Sequence, residues 1–187
     1  MIEKRRATGA ARPQRRTLIG AALAFTITGA AGAQQKPLVL PAKWYAVQVS
    51  DDGTTVELPG IPDHRIVNDA SARGTAFALH SYSLEAGSTS YVVQTALYPA
   101  DVDVSDPRRI LQTALDDRAR VLETGKWSKV EWRGMAVDST GLLKGGNALR
   151  QLVLLKGRRL VSLALMGPAT GTNGAEAERF FKSLKMK

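Results

Sequence analysis

The stretch ALRQLVLLKGRRLVSLALM, residues 148–166, decides the fold of this chain. It reads as two strands, Ala148–Lys156 and Arg158–Met166, joined by a tight turn. Leu152–Leu155 and Leu160–Met166 are apolar at almost every position, whereas a strand that is covered on one side alternates apolar and polar residues. These two strands are therefore predicted to lie at the centre of a sheet that is covered on both faces.

Two helices are predicted outside this hairpin. Asp106-Pro107 begins the first, with aspartate as N-cap and proline in the first turn, and Gly125 ends it. The second helix is short, and Asn173 with Glu176 forms a capping box at its start. Its apolar residues share one helix face and are predicted to dock on the sheet: Ala177, Phe180, Phe181 and Leu184.

The remaining regular segments read as strands that are connected through hairpins. They show period-2 alternation or turn signals and comprise Lys43–Ser50, Thr54–Leu58, Arg73–Leu84, Ser90–Tyr98, Lys129–Trp132 and Ala136–Leu143. Hairpin connections with only two helices predict an α+β fold, a mainly antiparallel sheet with helices packed on it. Residues 43–187 are predicted to form one such domain.

Residues 1–33 read as a secretory signal peptide. A basic head is followed by a charge-free apolar run, and Ala31-Gly32-Ala33 forms a cleavage site between Ala33 and Gln34. The run contains glycine and threonine and is shorter than the roughly 20 apolar residues that a transmembrane helix needs. Cleavage predicts a periplasmic protein without a membrane span, in which residues 34–42 form a linker or leader strand.

The basic head also resembles the twin-arginine export motif. Arg15 and Arg16 are followed by Thr17, Leu18 and Ile19, so the arginine pair and the apolar residues after it are retained. Basic residues occur in the heads of all signal peptides, and the ordinary secretory route therefore stays open.

The net charge of +9 over 187 residues is concentrated in the presequence. Residues 1–33 hold six of the 26 basic and one of the 17 acidic residues, which leaves 20 basic and 16 acidic residues, a charge of +4. Such a balance gives no electrostatic reason to expect nucleic-acid binding. The absence of cysteine excludes disulfides, thiol catalysis and thiolate-ligated metals.

From residue 43 onward the order of signals resembles a family of small exported bacterial proteins of unknown function. The matching residues are Trp44, Asp52-Gly53, Val56–Gly60 with Pro62, Tyr91, Val93, Tyr98-Pro99, Asp106-Pro107, Gly125-Lys126, Arg150, Glu178–Phe181 and Ser183-Leu184. The resemblance implies a fold similar to the PsbP-like α/β/α sandwich. It also implies a binding or assembly module without catalytic apparatus, and it carries over no catalytic residue.

No arrangement of residues in the sequence predicts catalysis, a cofactor or a metal. Asp101, Asp103 and Ser105 start like a calcium loop, but the glycine and the glutamate that such a loop requires are absent. The serines lack a nucleophile motif. His64 is assigned to a proline-rich turn and His80 to the middle of a strand, and each is interpreted as an ordinary surface or core residue.

Arg118 interrupts the apolar stripe of the first predicted helix. One interpretation is that its stem covers the core while its guanidinium reaches water or a carboxylate. The other is that the guanidinium lines a pocket between helix and sheet and takes an anionic ligand.

Two hypotheses of function follow, and neither is enzymatic. The first is a non-catalytic periplasmic module that recognises an envelope protein or another envelope component through its sheet edge or loops. The alternative is a carrier of a small, possibly anionic, ligand in a pocket between helix and sheet. An enzyme ranks below both because no nucleophile, base and orienting group can be assembled from these residues.

Overall fold

The computed structural model describes residues 43–187, which form an α+β fold around a seven-stranded antiparallel sheet. The order of the strands across the sheet is β3-β4-β5-β9-β8-β7-β6, and β1 and β2 form a separate hairpin. The strands are β1 Tyr45–Gln48, β2 Thr55–Leu58, β3 Asp63–Ala70, β4 Ala76–Ala86, β5 Thr89–Leu97, β6 Lys129–Arg133, β7 Ala136–Leu142, β8 Ala148–Lys156 and β9 Arg159–Gly167. The helices are α1 Pro107–Ala119, α2 Ala169–Thr172 and α3 Ala175–Lys182.

The central position that the sequence predicts for its most apolar hairpin is confirmed. Strand β9 is the middle strand, with β8 beside it. Val161, Leu163 and Leu165 pack into the core on one face, and Leu160 and Ala164 pack into the core on the other. A strand with both faces buried carries apolar residues on both sides and does not alternate apolar and polar positions. The sequence of this strand is therefore a continuous apolar run.

One face of the sheet is covered by α3 and the β1–β2 hairpin. Phe180 is fully buried and Phe181 is 7% exposed, and both pack with Tyr91 of β5 and the odd-numbered residues of β9. The prediction that the aromatic stripe of the last helix docks on the sheet is therefore confirmed. The two ends of the domain also meet here, because the backbone groups of Thr55 and Lys185 exchange two hydrogen bonds of 2.9 Å.

The opposite face is covered by α1. The Asp106 side chain accepts a hydrogen bond from the Arg109 backbone N–H at 3.1 Å, which confirms the predicted N-cap. The predicted end at Gly125 is wrong, since α1 stops at Ala119. The chain leaves the helix because Leu122 bridges to Leu143 beyond the end of β7, and this tertiary pairing outcompetes further helical turns.

Other predicted boundaries need correction. Strand β3 was not predicted, and the predicted strand Arg73–Leu84 is instead β4, which begins at Ala76 after a turn. The predicted capping box is also wrong, because Gly174 is the N-cap of α3. The Asn173 side chain instead donates a hydrogen bond of 3.0 Å to the Ala169 carbonyl of α2, so it is directed away from α3.

Asp52 holds the turn between β1 and β2 through its carboxylate. Oδ1 accepts hydrogen bonds from the Thr54 backbone N–H at 3.1 Å, from the Thr54 hydroxyl at 2.7 Å and from the Ser50 hydroxyl. Arg159 of β9 forms an ion pair with Oδ2. Burial alone would raise the pKa of Asp52, but these hydrogen bonds and the arginine lower it from 3.8 to about 2.

This carboxylate predicts a specific dependence of stability on pH. A carboxyl whose pKa is lower in the folded than in the unfolded protein stabilises the fold above its unfolded-state pKa, and this contribution disappears as the pH falls through the folded-state pKa. The wild-type protein is therefore expected to lose more stability than the Asp52→Asn variant between about pH 4 and about pH 2. Urea midpoints across this window measure the difference, and parallel losses would contradict the role of Asp52.

Candidate functional site

Strand β3 forms one edge of the sheet and is the most exposed strand of the domain. Seven of its eight residues are exposed. Among them, Ile66 is 57% and Val67 is 50% exposed, at the centre of the strand. Its inner side pairs with β4 over its whole length, and within residues 43–187 no strand pairs with its outer side. An edge of this kind presents a row of main-chain donors and acceptors to a further strand.

The opposite edge, β6, is built differently. It is five residues long and carries a charge at every second position. Glu131 binds Lys129 at 2.6 Å and Arg133 at 2.9 Å, and hydrogen bonds from these two side chains lower the pKa of Glu131. Short, charged edge strands resist pairing with other chains. The two edges of the sheet thus differ in their capacity to accept a further strand.

Both histidines of the chain lie on one face of the β3 edge. In the β3–β4 register, His64 is opposite Tyr82 and Ile66 is opposite His80. The His64 ring stacks on Tyr82 with a centroid distance of 4.3 Å and an interplanar angle of 8°. His64 Nε2 lies 3.2 Å from His80 Nδ1. The assignment of His64 to a turn is therefore wrong, because β3 places it in a strand beside the other histidine.

A second feature is a charged groove of about 470 Å³ between α3 and the β6–β8 side of the sheet. It combines cationic, anionic and neutral polar side chains. Its lining consists of Ser128, Lys129, Glu131, Arg133, Asp138, Thr140, Arg150, Asn173 and Glu178. The groove belongs to the face of the sheet that carries α3, opposite to the face that carries α1.

Arg150 of β8 is the central cation of this groove. Its Nη1 lies 2.6 Å from Glu178 Oε1 of α3, and its Nη2 lies 3.2 Å from Asp138 Oδ2 of β7. The guanidinium also lies over the Phe181 ring, 4.5 Å from its centroid. Burial alone would lower the pKa of Arg150, but the hydrogen bonds to the two carboxylates raise it. The hydrogen bond from Arg150 also lowers the pKa of Glu178, so the Arg150–Glu178 pair is held in its charged form.

Arg118 lies away from both features, between α1 and the sheet. It is 4% exposed, and its Nη2 donates a hydrogen bond of 3.3 Å to Gln94 Oε1 of β5. Burial lowers the pKa of Arg118 to about 9. The guanidinium therefore does not reach water, its approach to a carboxylate stays a prediction, and the structure does not bring Arg118 to the charged groove. Its buried contact with Gln94 connects α1 to the middle of the sheet.

The acidic residues that resemble the start of a calcium loop are engaged locally. The Asp101 carboxylate accepts a hydrogen bond from the Ser71 hydroxyl, and Asp103 Oδ1 accepts from the Ser105 backbone and hydroxyl at 3.0 and 2.6 Å. Hydrogen bonds from these serines lower the pKa of both carboxyls. Within the part of the chain that the structure describes, no three histidine, cysteine, aspartate or glutamate residues group as a metal site.

The residues predicted for export lie outside the described residues. These are Arg15 and Arg16 of the basic head, and Ala33 and Gln34 at the predicted cleavage site.

The comparisons with known proteins found no matching family model, curated protein or solved structure. From residue 43 to residue 187, no helix is long and apolar enough to cross a membrane.

Sequence reasoning missed the β3 edge and the histidine pair. The signal that could have revealed β3 is the β-branched pair Ile66-Val67, flanked by polar residues and preceded by Pro62. The contact between His64 and His80 depends on the β3–β4 register, and no local pattern in either segment specifies that register.

Proposed function

We propose that this protein is an exported, non-catalytic binding or assembly module that recognises an extended segment of an envelope protein along β3. The observation that carries the proposal is the exposed, eight-residue edge with an apolar centre. Strand addition at a sheet edge obtains affinity from main-chain hydrogen bonds and specificity from the side chains beside them. The contrast with the short, charged β6 edge supports β3 as the docking edge.

The direction of the main-chain groups of β3 defines what a partner strand would bind. The backbone N–H of Ser71 donates to the Thr75 carbonyl at 2.9 Å, so Ser71 faces β4. Inward and outward pairs alternate in an antiparallel ladder, which directs the N–H groups of His64, Ile66 and Asn68 outward. An extended peptide could therefore pair with β3 without disturbing the bonds between β3 and β4.

The Ile66→Pro substitution distinguishes binding of a partner strand at β3 from folding of the sheet. Ile66→Pro removes an outward N–H and places a ring on the edge, while the inward bonds of β3 remain. Val130→Pro is the matched control, because Val130 is an apolar residue on the β6 edge that is 40% exposed. Its N–H also faces outward, since the pair Arg133–Ala136 closes the β6–β7 hairpin and alternation places position 130 outward.

The test uses the full chain with its own presequence, expressed in its native bacterium and cross-linked in intact cells. We expect the wild type and Val130→Pro to yield the same cross-linked envelope protein, identified by mass spectrometry, and Ile66→Pro to lose it. Urea unfolding of each purified variant shows that the fold is retained. A partner that Ile66→Pro still captures, or a wild type that yields none, would contradict docking at β3.

We also propose that the protein is exported to the periplasm. This location rests on the basic head, the apolar run and the Ala33–Gln34 site of the sequence. Sequencing of the protein recovered from the periplasm is expected to read Gln34 first. Replacing Arg15 and Arg16 with lysine distinguishes the two export routes. Export is lost if the protein uses the twin-arginine route and is unchanged if it uses the general secretory route.

The charged groove favours a second candidate function, a carrier of a small polar or anionic ligand. It lies between a helix and the sheet, and its cations Lys129 and Arg133 have side chains that are 65% and 67% exposed. A small molecule that stays bound in native mass spectrometry and is released on denaturation would support this function over partner binding. A ligand in the charged groove would not contact Arg118.

We also propose that the fold is a PsbP-like α/β/α sandwich. Helix α1 on one face and α3 with the β1–β2 hairpin on the other support a PsbP-like α/β/α sandwich. Proteins with this architecture mostly serve as binding or assembly modules, which agrees with a non-catalytic function, although a shared fold alone is a weak guide to function.

A further inference from the structure

We infer that His64 and His80 form a binding site for a divalent transition-metal ion of the zinc, copper or nickel type. The chain contains two histidines, 16 positions apart, and pairing of β3 with β4 brings His64 Nε2 within 3.2 Å of His80 Nδ1. Neutral imidazole is a preferred ligand of these ions.

The separation of the two nitrogens fits a shared ion. Zinc–nitrogen bonds are about 2.0 to 2.1 Å long, so two nitrogens bound to one ion at right or tetrahedral angles are about 2.8 to 3.4 Å apart. The observed 3.2 Å falls within this range. The two nitrogens therefore need little change in separation to bind one ion, and the rings, whose centroids are 5.3 Å apart with planes at 11°, must turn so that both lone pairs point at it.

Proton positions are also compatible with metal binding. In the hydrogen-bonded pair, one ring carries a proton on the nitrogen that faces the other ring. If that ring adopts its other tautomer, both facing nitrogens present lone pairs to the space between the rings. Each ring then keeps one N–H on its far nitrogen, and no net proton is released.

The residues around the histidine pair hold the His64 ring in place and leave the site exposed to solvent. The stack on Tyr82 orients the His64 ring, and His64 itself is exposed on the edge strand. Within residues 43–187 no third histidine or carboxylate groups with the pair, so the site as inferred offers two protein ligands. The site lies outside the hydrophobic core, so the fold is not expected to depend on the metal.

Isothermal titration of the purified protein with zinc chloride tests this site. We expect saturable binding of one zinc ion per chain, and a loss of affinity of at least about tenfold in both His64→Gln and His80→Gln. Tyr82→Phe is the matched control, because it keeps the ring stack and both imidazoles and is expected to bind zinc as the wild type does. Urea unfolding shows that each variant is folded.

Several outcomes would overturn the site. These are the absence of saturable binding, undiminished affinity in either glutamine variant, or one zinc ion shared by two chains. If His80→Gln does not fold, His64→Gln decides the matter because its side chain is exposed. The titration contains no partner protein, so its result is independent of whether an envelope protein docks at β3.

Discussion

Replacing Phe180 with alanine is expected to lower the free energy of unfolding by about 3 to 5 kcal/mol. Phe180 is fully buried where α3 meets the sheet, and its ring packs edge-on against Tyr91 at 5.3 Å between centroids. Truncation removes the transfer energy of the ring and leaves a cavity that the rigid sheet beneath it cannot close. Such a loss is a large share of the stability of a domain of this size.

Urea unfolding measures this effect through the midpoint of the transition. Ile61→Ala is the control, because Ile61 is 82% exposed and its truncation is expected to change stability by no more than about 0.5 kcal/mol. A Phe180→Ala midpoint close to that of Ile61→Ala would show that α3 does not depend on this contact. The aromatic residues would then have to be reconsidered as part of a binding surface.

The second large effect is expected at Arg150. Arg150→Met keeps the aliphatic stem over Phe181 and removes the charge, which leaves Asp138 without its hydrogen-bonded cation. The Asp138 side chain is 13% exposed, so an unpaired carboxylate there is expected to cost about 2 to 3 kcal/mol. Glu178 is 43% exposed and recovers water when its partner is lost, so its share of the cost is small.

A double-mutant cycle isolates this interaction. Asp138→Asn removes the stranded charge, so Arg150→Met is expected to cost at least about 1 kcal/mol less in its presence than alone. Arg133→Met is the matched control, because Arg133 lines the same groove but its side chain is 67% exposed, and its loss is expected to cost about 0.5 kcal/mol or less. Additive effects of the Arg150 and Asp138 substitutions would argue against coupling in this half-buried pair.

The elements that the sequence predicts well are those whose physical causes are local. The apolar run of β8 and β9 reflects burial on both faces, and the Asp106-Pro107 start of α1 reflects a side chain that caps its own helix. The prediction that Gly125 ends α1 is wrong, because this glycine, with a φ of 66°, lies in a turn beyond the helix. The end of α1 depends on Leu143, which lies far along the chain.

The parts of the candidate site that could not be predicted depend on register and docking. Strand β3 is held by backbone pairing with β4 and has no buried face, so it lacks the alternation that marks other strands. Arg150 was noted in the sequence, but its partners Asp138 and Glu178 lie 12 and 28 positions away. Their approach follows from the β7–β8 register and from the seating of α3, neither of which a local pattern specifies.

The backbone contact between Thr55 and Lys185 joins the first hairpin of the domain to the segment that follows α3. The β1–β2 hairpin is made early, but its support includes α3 and the pair of backbone hydrogen bonds to Lys185. A two-stranded hairpin has little stability by itself. The β1–β2 hairpin therefore gains this support only once α3 and Lys185 have been synthesised and have docked on it.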